Sequence, residues 1–217
     1  MTAIILAGGM GTRLQSVVDY VPKPMAPINN RPFLEYLLKY LTLNGITKII
    51  LSVGYKGEMI KEYFGDGFQG IPIFYSFETT PLGTGGVIKL ALEKYSDDNV
   101  FIINGDTFFD IDLRRLSDFH VDQNADITMS LKEIRDSDRY GIVEINDGRV
   151  TSMREKEYTA QGYINGGIYC ARRDIFDGFA LPEKFSFEKF LTDGLSKLKI
   201  CGFPSSSNFI DIGIPED

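Results

Sequence analysis

Residues 2–14 read Thr-Ala-Ile-Ile-Leu-Ala-Gly-Gly-Met-Gly-Thr-Arg-Leu. Five largely apolar residues, 2–6, form a run too short for a helix and suited to a buried strand. Three glycines then fall within positions 8–11. Glycines directly after a buried strand let consecutive backbone N–H groups converge on an anion. Ligands of open α/β sheets gather at that carboxyl end of the strands. The stretch therefore predicts a phosphate-facing loop at the edge of a layered sheet.

The rest of the chain supports that architecture. Apolar residues Phe33, Leu34, Leu37, Leu38 and Leu41 repeat at helical spacing, between Pro32 and Asn44-Gly45. Buried strands are expected at 48–53, 71–77 and 100–104, and helices at 58–64 and 85–95. Strand and helix thus alternate through the first half, which implies parallel strands joined by right-handed crossovers. The second half is less regular. A helix is expected at 113–122, capped by Asp110 or Asp112, and a strand at 126–131. A hairpin turns at Asn146-Asp147-Gly148. A strand at 162–171, an amphipathic helix at 186–198 and short strands at 199–203 and 208–212 close the chain. The sequence shows no repeat or linker. It reads as a single domain over 1–217, with a nucleotide-binding half at about 1–112 and a β-rich half at about 113–217.

Composition narrows the chemistry. The chain has 217 residues, 43% of them hydrophobic, and a net charge of −7. That charge disfavours nonspecific nucleic-acid binding. No apolar run reaches the roughly 20 residues of a membrane span, so no membrane partner is expected. His120 is the only histidine, which rules out histidine metal clusters and disfavours a Ser-His-Asp hydrolase. It reads as a surface-helix residue with no chemical role. Cys170 and Cys201 form no metal or redox motif and read as small buried residues in a reducing compartment, consistent with the cytoplasm.

Two standard phosphate motifs fail. A dinucleotide fingerprint beginning at Gly9 would end on Leu14, and a P-loop needs Lys-Ser/Thr where Thr12-Arg13 stand. Arg13 offers a planar fork to phosphate oxygens. Lys23 stands between prolines in Val-Pro-Lys-Pro-Met-Ala-Pro (21–27), which restrict its backbone. "LAGGMGTRL" (6–14) followed by "PKPMAPINNRPFLEY" (22–36) resembles the opening of the sugar-1-phosphate nucleotidylyltransferases. "PLGTGG" (81–86), "INGDTFFD" (103–110) and "FIDIGIPED" (209–217) match further motifs in order, so the resemblance covers essentially the whole chain. "REK" (154–156) with "GYINGGIY" (162–169) looks most like the branch that uses GTP and D-glycero-α-D-manno-heptose 1-phosphate.

The resemblance implies a Rossmann-like, three-layer α/β nucleotidyltransferase fold with a mixed, mostly parallel sheet and a small β-rich sugar-binding extension. It implies the reaction of a sugar 1-phosphate with a nucleoside triphosphate, giving a nucleotide sugar for capsule or surface polysaccharide and pyrophosphate. A phosphate monoester is already ionised near pH 7, so no general base is required. Carried over by position, Arg13 and Lys23 are the catalytic cations. Leu6, Ala7, Gly8, Gly9, Gly11, Thr12, Glu78, Pro81, Gly83, Thr84 and Gly105 bind the nucleotide. Asp106 and Asp211 hold Mg²⁺, an oxygen-seeking ion; read alone, each is a turn-forming aspartate. Tyr140, Gly141, Glu155, Lys156, Asn165 and Gly166 line the sugar-phosphate pocket, although a run such as Arg-Glu-Lys-Glu otherwise reads as a solvated face. Arg154 reaches exocyclic hydroxyls of a longer sugar or faces water. Gly85 and Gly86 open a helix whose N-terminus favours anions.

Base choice has its own argument. Guanine presents N1–H and N2–H₂ on one edge, and a carboxylate such as Glu78 accepts both; the alternative for Glu78 is a solvated strand-end charge. Two other readings stay open: a uridylyltransferase acting on an N-acetylmuramate-type or hexose 1-phosphate, and a regulatory module without turnover. Arg13, Lys23, Asp106 and Asp211 are all present, which favours an enzyme. The sequence leaves oligomeric state open, a homo-oligomer included.

Overall fold

The computed structural model describes residues 1–9, 21–94, 97–156 and 158–212 of the chain. In chain order the strands are β1 (Thr2–Leu6), β2 (Pro27–Ile28), β3 (Arg31–Pro32), β4 (Lys48–Val53), β5 (Gly67–Phe68), β6 (Ile71–Phe77) and β7 (Asn99–Asn104). They continue with β8 (Thr107–Phe109), β9 (Ile127–Ser137), β10 (Gly141–Asn146), β11 (Arg149–Lys156), β12 (Thr159–Arg172), β13 (Ile200–Ser205) and β14 (Phe209–Asp211). The helices are α1 (Phe33–Leu43), α2 (Gly57–Phe64), α3 (Gly83–Glu93), α4 (Leu113–Asp122) and α5 (Phe187–Gly194).

Ten strands form one sheet in the order β10-β11-β13-β9-β12-β7-β1-β4-β6-β5. The β7-β1-β4-β6 block is parallel. The second half joins the same sheet through β12, antiparallel to both β7 and β9. The mixed character therefore comes mainly from the second half, with β13 alone parallel to β9 there. Two short pairs, β14–β8 and β2–β3, stand apart.

The apolar runs are continuous because both faces of the sheet are covered. On β1, Ala3 and Ile5 pack with α1, α2 and α4, while Ile4 packs on the other face with α3 and α5. Phe101 and Ile103 of β7 likewise oppose Val100 and Ile102. The result is three layers.

Local signals set the ends. Gly65, at φ 59°, terminates α2. Asp112 caps α4, its Oδ1 accepting from the backbone N–H of Arg114 at 2.9 Å and of Arg115 at 3.2 Å. Asp110 is not a cap; its N–H donates to the Asn208 carbonyl at 3.0 Å. Asp147 and Gly148 turn the β10–β11 hairpin at φ 48° and 75°, the left-handed pair that such a turn needs. His120 is a correction: it lies on the buried face of α4, its Nδ1 3.0 Å from Thr128 Oγ1. The helical period puts position 120 four residues after Leu116, inside the core stripe.

Candidate active site

The carboxyl ends of β1 and β7 open on a cavity of about 220 Å³. Leu6, Gly9, Lys23, Thr84, Gly105 and Asp106 line it, all expected from the sequence, together with Pro24, Asn104 and Glu188. The register explains the meeting. Leu6 pairs with Asn104, so the loop leaving β1 and the turn leaving β7 emerge side by side. Gly105 N–H donates to the Leu6 carbonyl at 3.1 Å. A Cβ on Gly105 would sit 2.4 Å from that oxygen. Only glycine lets the chain carry Asp106 so close to residues 7–9.

Lys23 arrives from a 3₁₀ turn over Lys23–Met25, whose Pro24 and Met25 are buried. Met25 N–H closes the turn on the Pro22 carbonyl at 2.7 Å. The flanking prolines fix the backbone, and the Lys23 ammonium donates to Asp106 Oδ2. Lys23 is 16% exposed and Asp106 35%, so the pair faces the cavity while sheltered from bulk water. Thr107 Oγ1 donates to the other Asp106 oxygen at 3.3 Å.

Asp211 does not line the cavity itself, but its backbone runs beside the strand that follows Asp106. β14 pairs antiparallel with β8, setting Asp211 against Thr107. The next N–H, of Ile212, donates to the Asp106 carbonyl at 3.0 Å. Aromatic edges hold this closure: Phe109 against Phe209 at 5.7 Å and Tyr140 against Phe209 at 6.2 Å between centroids.

The family described as nucleotidyl transferase matches residues 2–203. The chain belongs to the nucleotidyl transferase family. Among its relatives, the D-glycero-alpha-D-manno-heptose 1-phosphate guanylyltransferase of Aneurinibacillus thermoaerophilus is 53% identical over 218 residues, covering 100% of this chain and 95% of that protein. The protein of the same name from Campylobacter jejuni is 52% identical, covering 100% and 96%. The crystal structure of HddC from Yersinia pseudotuberculosis complexed with GMP-PN superposes at a TM-score of 0.87, with 38% identity over 99% of this chain and 95% of that one.

In this nucleotidyl transferase the remaining expected residues fall into three groups. Gly11, Thr12 and Arg13 lie outside the described residues. Ala7 is buried at the start of the loop, and Pro81 is exposed ahead of α3. Gly8 and Glu78 lie together, Glu78 Oε1 standing 3.3 Å from where a Gly8 Cβ would be. The other oxygen, Oε2, accepts from Leu82 N–H at 3.0 Å. Glu78, itself partly exposed, thus lies across the sheet end.

The glycines of 83–86 have a packing duty. A Cβ at Gly83 or Gly86 would meet the backbone oxygens of Phe185 and Glu183, each at 2.6 Å, and one at Gly85 would enter the Phe185 ring. Gly85 N–H is spent on the Phe185 carbonyl at 2.9 Å. This corrects the anion-site expectation for Gly85: its N–H already has a protein acceptor.

On the sugar side, Gly141 pairs with Lys156 beside a bulge in the β10–β11 hairpin. Tyr140 reaches the β14 cluster, while Glu155 and Lys156 are exposed. Asn165 donates to the Tyr169 hydroxyl and accepts from Gly167 N–H at 3.0 Å, bridging a bulge in β12. Gly166 is buried against the Phe109 ring. Arg154 pairs with Glu144 across the hairpin at 2.9 Å, both side chains about half exposed.

Glu188 was not foreseen. It sits in the first turn of α5, and its Oε2 accepts from Thr84 Oγ1 at 2.9 Å and Ser186 Oγ at 2.7 Å. The same Thr84 hydroxyl accepts from Phe187 N–H at 2.8 Å. Its sequence context, an acid two residues after the Ser186 cap, is the ordinary start of any helix, and nothing there points to a cleft.

Proposed function

We propose that this protein transfers GMP from GTP to a sugar 1-phosphate, with D-glycero-α-D-manno-heptose 1-phosphate preferred, releasing pyrophosphate. The observation that carries the reading is the Lys23–Asp106 pair, facing a cavity walled by Gly9 and joined by Asp211 through the β8–β14 pairing. Among the described residues, a Cβ at Gly9 would have nothing within 4 Å, and the backbone there lies outside the left-handed region. The described protein places no demand for glycine at that position, which suits close approach of a ligand to the main chain.

The sugar-phosphate oxygen attacks the α-phosphorus of GTP. The new P–O bond forms as the bond to the β-phosphate oxygen breaks, and pyrophosphate leaves with that electron pair. Phosphate monoesters ionise near pH 6, so the nucleophile needs no base. The protein's share is alignment and charge neutralisation. Lys23 supplies a sheltered positive charge beside the α-phosphate, and Arg13, on the resemblance, meets the departing phosphates. Asp106, in the cavity wall, and Asp211, on the strand paired with β8, offer hard carboxylate oxygens, a donor type that fits Mg²⁺, which takes one or two carboxylates plus phosphate oxygens. When bound, that ion would neutralise phosphate charge. Glu78 reads the guanine edge through Oε1. Lys156 and Tyr140, at the β10–β11 end, receive the sugar phosphate. The buried thiols Cys170 and Cys201 suit a reducing compartment, and we place the reaction in the cytoplasm.

The test is a matrix of four nucleoside triphosphates against several sugar 1-phosphates, reading pyrophosphate. GTP with the heptose phosphate is expected to be fastest. Preference for UTP, or no release with any pair, overturns the reading.

A further inference from the structure

The in-register pairing Leu6–Ser52–Ser76 across β1, β4 and β6 continues beyond the strands. Ala7 N–H donates to the Ser52 carbonyl at 2.8 Å, and Glu78 N–H to the Val53 carbonyl at 3.0 Å. Two residues past Leu6, Ser52 and Ser76, one row therefore holds Gly8, Gly54 and Glu78. Residues of one row project from the same face of the sheet. Two of the three have no side chain, and the third lies across them. A Cβ built on Gly54 would stand 2.3 Å from Glu78 Oε1, 3.0 Å from its Cγ and 3.1 Å from its Cδ. Gly54 is outside the left-handed region, so backbone conformation does not call for glycine. Space for Glu78 does. Leu82 N–H holds the far oxygen, so the carboxylate cannot slide away from Gly54 without losing that bond.

We propose that Gly54 is a specificity-determining position of the transferase. Its missing side chain is the slot that lets Glu78 lie flat and present Oε1 beside Gly8. Gly54 acts on the nucleotide through Glu78, so it is a positioning residue. This inference rests on the reading of Glu78 as the guanine acceptor and adds the residue that shapes its approach. A methyl at 54 forces the carboxylate off the sheet end. Guanine then loses a charge-assisted acceptor for its two donors, whereas uracil, with one donor, loses less.

The experiment is a double-mutant cycle on the GTP:UTP ratio of kcat/KM, with G54A, E78A and G54A/E78A and a thermal melt for each. G54A should lower the ratio about ten-fold or more. E78A should lower it similarly, and G54A/E78A should match E78A within about two-fold, because the methyl has nothing left to displace. The double variant should also regain part of the stability that G54A loses. A purely structural role would lower Tm without moving the ratio. A wild-type ratio in G54A, or effects that multiply in the double variant, overturns the proposal. If G54A does not fold, rescue of folding by E78A with a ratio equal to that of E78A supports the slot, and failure of rescue overturns it. If E78A alone leaves the ratio unchanged, the guanine reading of Glu78 fails, and the Gly54 proposal with it. A changed ratio in E78A with none in G54A refutes Gly54 alone.

Discussion

Asp106 is bound on each side by a different kind of partner: the Lys23 ammonium, the Thr107 hydroxyl and, through its own carbonyl, Ile212 N–H. The backbone contacts do not depend on the carboxylate. Asp106→Asn should therefore keep the fold while removing one negative charge from the proposed ion site. Turnover is expected to fall at least about 100-fold, some 2.7 kcal/mol of transition-state stabilisation, with Tm within a few degrees of wild type. Pyrophosphate release and a melt measure the two halves, and near wild-type turnover would remove the carboxylate from the chemistry. Asp106 was legible in the sequence because it ends an apolar strand inside a motif. Its contact with Lys23 was not, since 83 positions separate them and the 3₁₀ turn that carries Lys23 meets the end of β7 only in the folded chain. Glu188 was illegible for another reason: a first-turn acid is what every helix start favours.

At the scale of elements, one hydroxyl couples α3 to α5. Thr84 Oγ1 both donates to Glu188 and accepts from Phe187 N–H. Thr84→Val keeps the shape and removes both bonds, leaving a backbone donor unpaired. That should cost about 1–2 kcal/mol and lower Tm by about 3–6 °C, with KM for GTP rising because Thr84 also lines the cavity; Thr84→Ser should restore both. A second coupling ties α4 to β9 through His120 and Thr128. Burial holds the His120 pKa below its usual 6.5; the nearby Asp126 opposes this and Arg172 reinforces it. The unfolded chain then binds the proton more readily, so stability is complete above about pH 6.5 and declines as pH falls through that value. Urea titrations at pH 7.5 and 5.5 should show the loss, and His120→Gln should flatten it. The sequence marked α4 by its period and its Asp112 cap. It could not mark β12 as a single bulged strand reaching both β7 and β9, because a bulge is a tertiary accommodation.

Across the whole molecule, the candidate site lies at the carboxyl ends of the interior strands β1 and β7, while the sheet itself runs on to either side. A chain ending at Ser207 would keep all ten strands and the Lys132 contacts to the Ser206 and Ser207 carbonyls, both 2.8 Å. It would lose β14, Phe209 and Asp211. Circular dichroism should report near-native secondary structure with a lowered Tm, since buried Phe109 loses its Phe209 cover, and turnover should fall at least about 100-fold. Wild-type activity in that truncation would exclude Asp211 from the site. The position of β13 has a different consequence. It is the last of the sheet's ten strands in sequence yet lies inside the sheet, between β9 and β11. During synthesis, β9 and β11 must each wait with an open hydrogen-bonding edge until residues 200–205 leave the ribosome. Long-range pairing of this kind is slow, and waiting edges are templates for other chains. The interval between the emergence of β11 and the pairing of residues 200–205 therefore sets how long each nascent molecule is exposed to aggregation.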